Sequence, residues 1–182
     1  MYKVTLESLL TDSIALKHLP NAGFRHAVQT AENAFKLAIE RGICPDLATK
    51  AGLLHDIGHT NWEEHGEWDY ESYNYFDIHP IKGAERAHEL LTLKGEHLGK
   101  AREIALAILF HSGSSPITRN IELTPLQRLI MEADDLDARE GGKHHNLEIS
   151  FEKALEKVKN LDRLVQDEIK DCDDNCESCH RR

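Results

Sequence analysis

Basic residues are in the minority in this chain, long apolar runs are absent, and cysteines are few. Lys and Arg number 22 against 32 Asp and Glu, a formal charge of -10 at neutral pH. Nonspecific nucleic-acid binding rests on cations that neutralise phosphates, so this balance predicts no nucleic-acid partner. The longest strongly apolar run, residues 104–110, falls far short of the roughly 18 to 20 residues that cross a bilayer, which predicts no membrane span. Residues 1–10 carry acidic Glu7 and lack a basic segment followed by an apolar block, so no secretory signal is expected. Cys44 stands alone, while Cys172, Cys176 and Cys179 crowd into the tail, unlike the spread framework of a secreted disulfide scaffold. Together these absences predict a cytoplasmic protein.

The composition, 40% hydrophobic and 30% charged over 182 residues, is that of an ordinary globular protein. The length favours one domain over residues 1–170, followed by a Cys-rich tail at 171–182. No run of alternating strand residues stands between hairpin turns, and helical patterning dominates. A first helix is expected over residues 4–17, ending before Pro20. A second, over 24–40, repeats Phe24, Ala27, Val28, Ala31, Phe35, Ala38 and Ile39 at helical spacing and stops at Gly42. Asp46 is expected to cap a third, over 47–57, which is apolar almost all round and therefore internal. Residues 60–77 read as a long aromatic loop, with room for a short helix. Helices then follow over 80–93, 99–111, 125–138 and 149–170, with Pro80 in a first turn and Thr124 as a cap. The fold class is all-α, a compact bundle of about seven helices.

Twelve histidines and an excess of carboxylates point to cations as partners. His55 and Asp56 end an apolar segment in which an unpaired charge would cost several kcal/mol. A metal ion satisfies both, because imidazole nitrogen and carboxylate oxygen are good ligands for first-row divalent ions. Asp56 is the expected bridge between ions. His111 follows the apolar run 104–110 and should face inward. The stripe of Leu126, Leu129, Ile130 and Ala133 leaves Asp134 at its flank and turns Asp135 toward water. His26 lies on a polar, uncharged strip with Thr30, Asn33 and Leu37, suited to an internal cleft. A lone buried histidine is more often a hydrogen-bonded core residue than a ligand. Several helices that each deliver one to the interior are the pattern of a metal site.

The order His26, His55-Asp56, Asp134, centred on Leu-Leu-His-Asp-Ile-Gly, resembles the signature of the HD superfamily of metal-dependent phosphohydrolases over about residues 24–139. His79, in His-Pro-Ile-Lys-Gly-Ala, and His111 match members that hold two metals. Within the superfamily, Ile-Leu-Phe-His-Ser-Gly and Glu-Ala-Asp134 most resemble bacterial diadenosine tetraphosphate hydrolases. The resemblance implies a helical HD domain with two divalent ions, drawn from Fe, Mn, Co, Ni or Zn, on His26, His55, Asp56, His79, His111 and Asp134. It also implies a phosphorylated small-molecule substrate, nucleotides first, and water activated between the ions beside Asp56. His59 stands near where those hydrolases usually carry a lysine, and is expected to bind phosphate or protonate the leaving oxygen. Arg25 and Lys82 are further candidate phosphate contacts, with a solvated role equally open to each.

His-Asp-Ile-Gly-His also occurs in HD deoxynucleotide triphosphohydrolases and in diiron HD oxygenases that cleave carbon–phosphorus bonds, so an oxygenase acting on a phosphonate is the alternative. A ligand-sensing domain with a degenerate site is a third reading, disfavoured because all six ligands are present. The Cys172, Cys176, Cys179, His180 cluster has spacing compatible with zinc or an iron–sulfur site, and equally with a terminal segment of no fixed structure. His18, His65, His88, His97, His144 and His145 are expected on surfaces or in loops, and a homodimer is left open.

Overall fold

The computed structural model describes residues 4–64, 67–112, 121–139 and 148–172. Chain polarity is set early by side-chain caps. Helix α1 (Leu6–Leu10) opens on a reciprocal capping box between Thr5 and Ser8, and α2 (Ser13–His18) opens on Asp12, whose carboxylate accepts the Ile14 amide at 2.9 Å. The single helix expected over 4–17 is therefore two. Asp12 offers the backbone a local acceptor that ends one helix and starts the next. A 3-10 turn, Leu19–Asn21, carries Pro20 and leads into α3 (Phe24–Arg41), which stops at Gly42 in the left-handed region, φ 63°.

Helix α4 (Pro45–Leu54) starts one residue before its expected cap. Asp46 is not the N-cap: Pro45 takes the first helical position, where its missing N–H costs nothing. The buried Asp46 carboxylate instead meets Lys50 Nζ at 2.9 Å, and the same ammonium reaches Glu96. Helix α4 also ends earlier than expected, so His55 is its C-cap and Asp56 lies in the following turn, free of the fixed helical angle between neighbours.

The expected loop over 60–77 contains ordered elements. A two-residue antiparallel ribbon pairs β1 (Glu63–Glu64) with β2 (Glu67–Trp68), Glu63 opposite Trp68, and α5 (Tyr70–Phe76) follows, with Asp69 accepting the Ser72 amide at 3.0 Å. The remaining helices are α6 (His79–Leu93), α7 (Leu98–Leu109), α8 (Pro125–Arg139) and α9 (Phe151–Cys172). Thr124 and Gln127 cap α8 reciprocally, at 2.8 and 3.3 Å. The architecture is all-α as expected, with nine α-helices among the described residues because the first helix divides and α5 is added. Among those residues no helix is long and apolar enough to cross a membrane.

Helix α3 is the spine, packed against α4, α8 and α9, while α7 sits between α6 and α4. Leu53, Leu54, Ile57, Ile104, Ile108 and Ile130 are fully enclosed among them. Close approach fixes the site-bearing segments. A Cβ on Gly52 would sit 3.0 Å from Ala31 Cα, so a side chain there would push α4 and α3 a few tenths of an ångström apart. A Cβ on Gly58 would overlap the His79 carbonyl, which binds the turn after α4 to the first turn of α6. On the far side, Asp162 of α9 accepts the free Leu6 and Glu7 amides at 2.8 and 2.9 Å and ties α9 to α1.

Candidate metal centre

Six chain segments end in one pocket of side chains. His26 comes from the first turn of α3, His55 and Asp56 from the turn after α4, His59 from three residues further, His79 from the start of α6, His111 from just past α7, and Asp134 from α8. All but Asp134 are buried, and Asp134 is partly so. Each histidine sits at or near a helix terminus, where the chain turns and a polar ring can enter the core without interrupting an apolar stripe.

The donors form two groups that share Asp56. In the first, His26 Nε2 lies 3.0 Å from His55 Nε2, 3.2 Å from Asp56 Oδ2 and 3.2 Å from Asp134 Oδ1. His55 Nε2 is 3.2 Å from the same Asp56 oxygen and 3.6 Å from Asp134. In the second, Asp56 Oδ1 faces His111 Nε2 at 3.3 Å, His79 Nε2 at 3.5 Å and His59 Nε2 at 3.2 Å, with His79 and His111 Nε2 3.1 Å apart. Metal–ligand bonds of about 2.1 Å place neighbouring ligand atoms about 3.0 to 3.4 Å apart in octahedral or tetrahedral shells. Most of these separations fall in that range, with His55–Asp134 at 3.6 Å and His79–Asp56 at 3.5 Å just beyond it, and three sets of three donors each lie within 4.8 Å of one another.

The outer ring nitrogens settle which atom each imidazole presents. His55 Nδ1 is 2.8 Å from the Gly52 carbonyl, His111 Nδ1 is 2.6 Å from the Ile108 carbonyl, and His79 Nδ1 meets the Asp77 carboxylate. His26 Nδ1 is 2.8 Å from Asp137 Oδ2. A carbonyl or ionised carboxylate only accepts, so each Nδ1 carries the hydrogen and each neutral ring turns a lone pair inward from Nε2. Paired lone pairs about 3 Å apart repel unless a cation or protons lie between them, and this arrangement is the usual support of a metal-binding histidine.

Electrostatics without a cation show the same demand. Burial pulls the His26 imidazole down, but the carboxylates of Asp134, Asp137 and Asp56 raise it to about 11. His55 is likewise lowered by burial yet raised, by Asp56 first and Asp134 next, to about 9. Burial opposes ionisation of Asp56 and Asp134, and the surrounding imidazoles nevertheless hold both below the ordinary carboxylate range. His79 moves down, because burial and its cationic neighbours outweigh Asp77. The constellation is built around positive charge: protons fill it when metal does not.

Arg25 and Lys82 are candidate phosphate contacts by sequence, with a solvated role equally open to each. The structure sets the Arg25 guanidinium on Asp137, at 2.9 and 3.0 Å, behind His26. Lys82 lies one turn along α6 from His79, part-exposed, and makes no ion pair among the described residues. Asp137, fully buried, was missed; its signal was the three-residue spacing from Asp134, which puts both carboxylates on one face of α8. Of the loop aromatics, Tyr73 stacks on His59 at 5.9 Å with Trp62 edge-on at 6.4 Å, whereas Tyr75 and Phe76 face solvent. His65, His144, His145, Cys176, Cys179 and His180, and so the tail cluster, lie outside the described residues.

Comparison with known proteins agrees with this geometry. Residues 23–139 match the model of the HD domain. A protein of Bacillus subtilis (strain 168) named "Putative phosphohydrolase YueE" is 47% identical over 165 residues, 91% of this chain and 94% of that one. No solved structure matches the chain. Matched over most of its length, and with the histidines and aspartates of the family signature drawn into one buried cluster, the chain belongs to the HD domain family.

Proposed function

We propose that this protein is a metal-dependent phosphohydrolase whose centre holds two divalent ions bridged by Asp56. The observation that carries this reading is the division of labour within one carboxylate: Oδ2 faces His26 and His55, and Oδ1 faces His79 and His111. The name of the Bacillus subtilis relative supports the hydrolytic chemistry. Divalent ions held there supply Lewis acidity toward phosphoryl oxygens and lower the pKa of water to near neutrality.

The chain's own groups orient and shield. Anchored Nδ1 hydrogens hold the four rings in a fixed orientation, the arrangement a preorganised site requires. Asp134 and Asp56 add negative charge that offsets the cations. Leu54 and Ile57, the chain neighbours of His55 and Asp56, are fully buried. Lys82, with no ion pair among the described residues, is the cation we assign to substrate phosphate, while Arg25 is committed to Asp137. Nucleotides are the substrate class we favour, dinucleoside polyphosphates first, because of the resemblance in the segments around His111 and Asp134. Purified, metal-loaded protein incubated anaerobically should hydrolyse dinucleoside polyphosphates to two nucleotides, or release phosphate or its chain from phosphomonoesters or nucleoside triphosphates, and should leave phosphonates intact. A strict requirement for oxygen would replace this reading with an oxygenase.

A further inference from the structure

We infer that His59 is a seventh protein ligand, completing the second ion's set as Asp56 Oδ1, His59, His79 and His111, rather than a contact for phosphate or a donor to the leaving oxygen. The inference rests on the dinuclear reading above. His59 is 7% exposed, and its Nε2 lies 3.2 Å from the same Asp56 oxygen that faces His79 and His111, no farther than either. Its donor atom falls within 4.8 Å of those of Asp56 and His79. The ring is parallel to His79, centroids 4.0 Å apart at 17°, so both imidazoles present their inner nitrogens side by side. Backbone bonds hold the residue there: the His59 amide donates to the Asp56 carbonyl at 3.1 Å, and Asn21 Nδ2 donates to the His59 carbonyl at 2.9 Å.

One feature separates His59 from the other four histidines. Its Nδ1 is buried and has no hydrogen-bond partner among the described residues, where theirs are tied to carbonyls or carboxylates. Stacking on His79, with the Tyr73 ring parallel at 5.9 Å, positions this ring in place of a hydrogen bond. It is therefore the least anchored donor of the set, and the one an incoming phosphoryl oxygen displaces most readily. Three imidazoles and one carboxylate also make the second position richer in nitrogen than the first, favouring Fe, Co, Ni or Zn over Mg or Mn.

Proton NMR of the Co(II)-loaded protein tests this independently of turnover. Each ligated imidazole with a protonated Nδ1 contributes one exchangeable, hyperfine-shifted N–H signal. Five such signals are expected from His26, His55, His59, His79 and His111, four after His59→Asn, and bound cobalt at limiting free metal should fall from two toward one per chain. Four signals in the unsubstituted protein, with two ions bound, would overturn the assignment of His59 and leave the phosphohydrolase reading standing. Absence of bound metal would remove both. The count in the unsubstituted chain decides even if the variant fails to fold.

Discussion

Replacing Asp137 by Asn keeps the shape of the side chain and removes its charge, which isolates what that carboxylate does for His26. Asp137 is fully buried, 2.8 Å from His26 Nδ1, and bracketed by both Arg25 nitrogens. It fixes the ring's tautomer and makes Nε2 a stronger donor. Loss of such an outer partner typically weakens metal binding by about 10- to 100-fold, or about 1.4 to 2.8 kcal/mol. The pH dependence has a definite sign. Asp137 also helps raise the His26 proton affinity, so at low pH the variant's weaker proton competition offsets its weaker metal donor. The wild-type advantage should therefore be small near pH 6 and grow as pH rises. Arg25, with 20% of its side chain exposed, can turn to water, so melting of the chelated variant separates fold stability from metal affinity. Chelator competition for the more tightly bound ion at several pH values is the assay. Equal affinity for Asp137→Asn and wild type across the range would refute the reasoning that His26 is a ligand oriented from behind.

Three further outcomes follow from the same geometry. With His26 raised to about 11 and His55 to about 9, and their Nε2 atoms hydrogen-bonded at 3.0 Å, the pair holds at least one extra proton in metal-free protein near pH 7.5, which loading the first position should release. Calorimetry in buffers of different ionisation enthalpy counts the protons released, and no release would contradict the charge balance. Because both values are raised, their contribution to the stability of chelated protein is complete below about pH 6.5 and fades as pH climbs through about 9 and then 11. Gly58→Ala should cost about 1 to 3 kcal/mol or more, since its methyl would overlap the His79 carbonyl. It should also loosen the second ion before the first; a variant with unchanged melting temperature and metal content would show that the turn is not clamped to α6.

Helices with a long apolar stripe, such as α3, were legible in the sequence because burial of one face fixes both their period and their extent. The ligand types were legible for a related reason: a His or Asp at the end of an apolar run needs a partner. Local competition was harder to read. Asp12 divides the first helix by offering the Ile14 amide an acceptor, and Pro45 displaces Asp46 from the capping role, leaving it to Lys50. The ribbon at Glu63–Glu64 and Glu67–Trp68 is too short to show alternation. Relations between distant segments were out of reach altogether. That Arg25 turns to Asp137, and that the His59 ring lies against His79, depend on how α3 meets α8 and how α6 crosses the turn after α4.

A crystal structure of the protein grown with one metal, with anomalous data collected on both sides of that metal's absorption edge, tests the central claim. Two anomalous peaks are expected, one against each oxygen of Asp56, the first among His26, His55 and Asp134 and the second against His79 and His111. A single peak, or ions located elsewhere with Asp56 bound only to protein, would contradict it.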